Sequence, residues 1–251
     1  MQVLDVAIEN GTTSLWYGRV IGFLGTHARA VNKSELLNEL VAEGRYHMRW
    51  LQRHGEPSPS IEDPDLNIRE EITGIDELGE SGGEVALFDF DIVQIEEKLL
   101  STALRYMGYN RLDLLDLCKS VNVERLNEIP TGKGRSIEDI LQHVCNAEEF
   151  YTSRLGMEAD ETYERHLGMP VADADELPIM KRLDVVRNAC IKTLRDLIPI
   201  KGESIFQRQE YTSYPKEEWT AHKVVRRFLE HEREHIYNIR EYLKTPIRPS
   251  V

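Results

Sequence analysis

Beyond residue 91 the apolar side chains recur at three- and four-residue spacing in four long runs, about 91–120, 136–155, 178–198 and 218–244. Each run exceeds the average helix of about 11–12 residues. Helix breakers separate them: Pro130, Gly132 and Gly134; then Gly168 and Pro170; then Pro199, Gly202 and Pro215. Four amphipathic helices of this length bury their apolar stripes most simply against one another, so the pattern predicts an all-α four-helix bundle over 91–246.

Upstream the period is different. Val3 and Ala7, then Ser14 to Val20, alternate with period two, and Asn10-Gly11 between them is a hairpin signal. Phe23-Leu24-Gly25 and Ala28 to Val31 suggest a third short strand. Asn32-Lys33-Ser34-Glu35 starts a helix, with Ser34 as the expected N-cap, and Leu36, Leu37, Leu40, Val41 and Tyr46 to Trp50 carry its stripe to about His54. The expected fold class is therefore α+β: a β-β-β-α domain over 1–56, a connector over 57–90 with one more strand near 66–75, and then the bundle.

The charge map marks the same boundaries. The formal charge of −13 is concentrated in residues 57–97, which hold one basic residue, Arg69, against 13 acidic ones. Gly and Pro in this stretch argue for an exposed connector. An acidic chain is a poor nucleic-acid binder, because phosphate neutralisation needs clustered Lys and Arg. The Arg45, Arg49 and Arg53 stripe reads as a solvated helix face balanced by Glu35, Glu39 and Glu43. No apolar run is long enough to span a membrane, and the start lacks a signal peptide's basic and apolar regions. Cys118, Cys145 and Cys190 are far apart and odd in number, which reads as reduced thiols in a cytoplasmic protein.

His231-Glu232-Arg233-Glu234-His235 is the sharpest motif. Two histidines four apart on a helix differ by about 40° around its axis, so both imidazoles reach one ion. They lie within about 60° of Phe228, beside Val224, Ile239 and Tyr242, on the inward stripe. The competing reading is a pair of core histidines satisfied by hydrogen bonds. The string also spells His-Glu-x-x-His, the zincin protease pattern, but only Glu241 offers a carboxylate side chain downstream. A third ligand should come from another helix, and His143, at the margin of the Ile137, Ile140, Leu141, Val144 and Tyr151 stripe, is the best placed. Three histidines leave an open coordination position, as in catalytic sites. Glu232 falls inside the apolar arc, where it is either a proton shuttle beside the ion or a buried partner of an Arg such as Arg105 or Arg111. Asn238, one turn after His235, is placed to orient a ligand or water. Thr131 to Ser136 lacks the spacing of a phosphate loop, and Ser136 with Asp139 reads as a capping box, although an anion near Lys133 and Arg135 fits too.

Residues 92–244 resemble the DinB/YfiT-like metal-binding four-helix family. The resemblance rests on Asn110 to Asp116, on Leu126-Asn127-Glu128-Ile129-Pro130, on Ser136 to His143, and on His231 to Ile239. In the last motif Glu234, Tyr237 and Asn238 stand where the common form has His, Gly and Gln. The resemblance implies His143, His231 and His235 as a facial triad for a divalent transition metal: zinc, nickel or iron. It further implies a metal-dependent thiol S-transferase or hydrolase acting on a small molecule. Residues 1–56 resemble the HicB-like fold in Gly22 to Gly25 and Val31 to Leu40, which implies a protein-binding or regulatory module. The rival function is accordingly a non-catalytic regulatory protein whose bundle is stabilised by metal. The partners to expect are a small-molecule substrate, a thiol among the candidates, and a second copy of the chain.

Overall fold

The computed structural model describes residues 2–62, 64–80 and 82–249. It is mixed α/β, with an N-terminal four-stranded sheet and a mostly helical remainder. The chain divides into two compact units: residues up to Ile92 together with Gln207–Glu218, and Val93–Phe206 together with Trp219–Pro249.

In the first unit β1 (Val3–Gly11), β2 (Trp16–Val20), β3 (Ala28–Ala30), α1 (Lys33–Arg53) and β4 (Asp65–Ile75) follow in chain order. The sheet order is β3-β2-β1-β4; β2 is antiparallel to β1, and β4 is parallel to it. Period-two alternation sends Val6 and Ile8 to one face and Ala7 and Glu9 to the other, and all four are buried. α1 covers the first face, packing so closely that a Cβ on Gly18 would stand 2.8 Å from Leu40. Ala86 and Phe88 cover the second face against Ala7. There the buried Glu9 carboxylate pairs with Arg19 at 2.5 Å and accepts the Ala86 N–H at 2.6 Å, and the guanidinium lies over Phe88.

Two local expectations are corrected. The hairpin forms, but β1 runs through Gly11, and the first paired residues beside the turn are Asn10 and Trp16. Gly11 serves close approach rather than positive φ, because a Cβ there would lie 1.7 Å from the Ile75 carbonyl oxygen. The N-cap of α1 is Asn32, whose side-chain oxygen accepts from Glu35 N–H at 2.9 Å, and not Ser34. Residues 57–90, expected as an acidic connector with one more strand near 66–75, carry the edge strand β4 at Asp65–Ile75 and supply the Ala86–Phe88 cover.

The second unit carries α2 (Glu97–Cys118), α3 (Val123–Asn127), α4 (Ile137–Ser153), α5 (Glu158–Leu167), α6 (Val171–Asp175), α7 (Ile179–Lys201) and α8 (Ala221–Tyr242). The four long helices meet in a closed set of pairs: α2 with α7 and α8, and α4 with α7 and α8. The intervals 121–135 and 156–177, between the expected helical runs, contain α3, α5 and α6, and α5 packs on α4 and α7. Pro199 does not stop α7, which continues to Lys201. All three cysteines are buried and free. Among the described residues no helix is long and apolar enough to cross a membrane.

Candidate metal centre

Two helix starts determine where the histidines stand. Ser136 caps α4 by accepting the Asp139 N–H at 3.0 Å, while the Asp139 carboxylate accepts the Ser136 N–H and hydroxyl, each at 2.8 Å. This reciprocal box satisfies donors that a first turn otherwise leaves bare, and His143 follows two turns later. α8 begins at Thr220, whose hydroxyl accepts the Lys223 N–H at 3.1 Å. An antiparallel bridge between Phe206 and Trp219 fixes the entry to that cap.

The three predicted histidines come together. His231 Nε2 is 3.1 Å from His143 Nε2 and 3.1 Å from His235 Nε2, and the three ring nitrogens lie within 4.8 Å of one another. His231 and His235 are buried, and His143 is half-buried. Ligand nitrogens about 2.0–2.1 Å from one ion stand about 2.8–3.4 Å apart between right and tetrahedral angles. The donor set supports the same reading. Each Nε2 holds either a hydrogen or a lone pair, so three converging Nε2 atoms cannot all satisfy one another, whereas a shared cation satisfies all three. The residues present fit a divalent ion.

The surroundings tune this triad. Burial pushes the His143 imidazole below its ordinary pKa, the Arg135 guanidinium pushes the same way, and Glu234 opposes both. The shift favours the neutral imidazole, the form that ligates. The Asn238 side-chain amide lies 3.3 Å from His235 Nδ1. An amide presents either its oxygen or its nitrogen by a half turn, so it can accept from Nδ1–H when Nε2 is a ligand. The Tyr151 ring stands edge-on to His231, with centroids 5.6 Å apart.

Glu232 lies elsewhere. Its carboxylate meets Arg111 Nε at 2.7 Å and an Arg187 terminal nitrogen at 2.8 Å. Glu148 completes a quartet by pairing with both guanidiniums, at 2.5 Å to Arg111. Arg111 also donates to the Leu183 carbonyl at 2.5 Å, and Arg187 to the Met107 carbonyl at 3.1 Å. Each long helix supplies one member (Arg111 from α2, Glu148 from α4, Arg187 from α7 and Glu232 from α8), and the set is electrically neutral. Burial alone would raise the Glu232 carboxyl, yet Arg187 and Arg111 hold it below the usual carboxylate range. A carboxylate engaged in this way is not disposed as the general base that the His-Glu-x-x-His pattern requires. Sequence reasoning named Arg111 but missed Glu148 and Arg187. Both were marked by a charge set among apolar neighbours, Glu148 between Val144 and Tyr151, and Arg187 between Leu183 and Cys190.

Fold and site together define a mixed α/β protein whose helical unit carries a histidine triad able to hold a metal. The family model for the DinB superfamily matches residues 109–239, and the chain belongs to that superfamily, whose members are often metal-binding. The matched span contains all three histidines and all four members of the charged quartet. No curated protein and no solved structure matches the chain.

Proposed function

We propose that the chain is a metal-dependent enzyme acting on a small molecule, with His143, His231 and His235 holding one divalent transition metal of the zinc, nickel or iron type. The observation that carries this is the convergence of three Nε2 atoms from two separate helices, with His231 3.1 Å from each of the others. A divalent ion held by three neutral imidazoles would supply an open position and lower the pKa of a water or thiol bound there. The four long helices serve as a bundle that presents the triad. Asn238 fixes the tautomer and orientation of His235 from its Nδ1 side, and this role suits its position better than direct chemistry on substrate. Glu232 anchors α8 beside His231, and the proton-shuttle alternative gives way to this anchoring role. Half-burial of His143 gives a small substrate access from one side. Transfer from a thiol and hydrolysis both suit such a site.

The first unit is read as a HicB-like module for regulation or assembly in the cytoplasm, with a homodimer as the simplest assembly. A second reading, a regulatory protein with a metal-stabilised helical unit, draws on the quartet, because the unit is already tied together without turnover. Elemental analysis separates outcomes for the centre. One metal per chain is expected in the unmodified protein, with occupancy lost in His143→Ala, His231→Ala and His235→Ala. Full occupancy in all three variants would overturn the assignment. Metal-dependent turnover of a thiol or hydrolase substrate, absent from His235→Ala, favours the enzyme over the regulatory protein.

A further inference from the structure

Helices α4 and α8 meet at two levels around one imidazole. At the first, His143 reaches His231, Nε2 to Nε2 at 3.1 Å, with ring centroids 4.9 Å apart. At the second stands Tyr151, further along the same helix and about 12 Å from His143 along its axis. The Tyr151 ring is nearly perpendicular to that of His231, at a centroid distance of 5.6 Å. The His231 ring is thus bracketed by two side chains of α4. A histidine ring turns about a soft, two-fold χ2, so the backbone alone does not settle where Nε2 points. The groups against the ring must do so.

Tyr151 itself has little freedom. It is buried, and Phe228 and Trp219 lie against its ring, each with centroids 5.8 Å away. Its hydroxyl accepts from an Arg227 terminal nitrogen at 3.3 Å. Arg227, one turn before His231 on α8, also donates to the Glu230 carboxylate at 3.0 Å, and Glu230 accepts from Arg226 at 3.2 Å. All of these groups are buried, where an unmade hydrogen bond is costly, so each constrains the next. The chain Glu230–Arg227–Tyr151 therefore ties α8 to α4. It spans the same two helices whose packing brings His143 to His231.

We propose that Tyr151 is a positioning residue for the histidine triad: clamped by Arg227, its ring holds the His231 imidazole in the plane that directs Nε2 to the point shared with His143 and His235. This rests on the reading of the triad as a metal centre. Asn238 steadies His235 from its Nδ1 side, and Tyr151 steadies His231 from its flank. Without the ring, His231 turns about χ2, and a bound ion loses or strains one of its three nitrogens. The role asks for no chemistry of the phenol.

The test uses the full chain and cobalt. Affinity is measured by competition against a chelator, ligand geometry by the visible d–d bands, and the metal-free fold by urea unfolding. Tyr151→Leu should weaken cobalt binding on the order of tenfold or more and alter the bands. Two milder variants keep the core filled: Tyr151→Phe retains the ring without its hydroxyl, and Arg227→Met leaves Glu230 paired with Arg226. Each should weaken binding by less than Tyr151→Leu, and the double variant by no more than the larger single change, because both delete one hydrogen bond. Unchanged affinity and bands in Tyr151→Leu overturn the inference. Weakened binding with unchanged bands overturns it too, since that marks a general loss of stability and not a turned ligand. If Tyr151→Leu does not fold, unchanged affinity and bands in both milder variants overturn it, and additive effects of the two overturn the clamp. No cobalt in the unmodified protein, or full occupancy in His231→Ala, overturns the reading of the triad and this inference with it, a failure visible without any change at Tyr151.

Discussion

Replacing Glu232 by Gln keeps the size of the side chain and removes one of the two negative charges in the quartet. Arg111 and Arg187, each with a side chain no more than 10% exposed, would then share Glu148 alone, leaving one buried positive charge uncompensated. Breaking a buried pair by removing one partner costs about 3–5 kcal/mol. Gln retains an acceptor for one guanidinium, so about 3 kcal/mol is expected, or about 9 °C in Tm for a unit of this size. The assay is urea unfolding of chelator-treated protein followed by far-UV circular dichroism, so that metal binding does not contribute to apparent stability. The midpoint should fall with the slope unchanged. Adding Arg187→Met, which removes the surplus charge, should recover at least about 1 kcal/mol relative to the sum of the single changes. The folded variant should still take up one metal, because the carboxylate is not a ligand. A loss below about 1 kcal/mol, or strict additivity in the double variant, would refute the argument that the quartet is a closed and mutually dependent set. Metal loss without a stability change would instead return Glu232 to the centre.

Ser136→Ala should destabilise the helical unit by about 1 kcal/mol through loss of the α4 cap, measured by the same unfolding curve. The Asp139 carboxyl in that cap is held below its ordinary pKa by hydrogen bonds from Ser136 N–H and hydroxyl. Its contribution is therefore present above about pH 4, the unfolded value, and is lost as pH falls through the lower folded value. An Asp139→Asn variant should show a flatter acid limb, and an unchanged limb would refute the assignment. In the first unit, Gly11→Ala should cost about 2–3 kcal/mol, because the new Cβ would meet the Ile75 carbonyl. Wild-type thermal stability in this variant would show that the β1–β4 approach is looser than the register implies.

The change of period near residue 91 was enough to separate sheet from helices, because each element must bury a stripe whose spacing its own geometry imposes. Part of the histidine triad was legible for a related reason: His231 and His235 are neighbours on one helix, so their proximity needs no tertiary information. The capping box at Ser136 and Asp139 is equally local. The third histidine, His143, became a candidate through its own helix stripe, yet only packing of α4 on α8 brings its Nε2 within 3.1 Å of His231. Glu148 and Arg187 were visible as charges in apolar stripes, but their partners lie 37 to 45 residues away in sequence, and no periodicity records such pairings. A strand near 66–75 was expected from the sequence, but its parallel pairing with β1 was not, because the backbone hydrogen bonds gained at that edge do not depend on side-chain charge. Sequence alone determined the elements, their inward faces and the residue types available for chemistry. The tertiary structure decided which carboxylates pair with which guanidiniums and which imidazoles converge, because both depend on distances between segments that the chain order does not constrain.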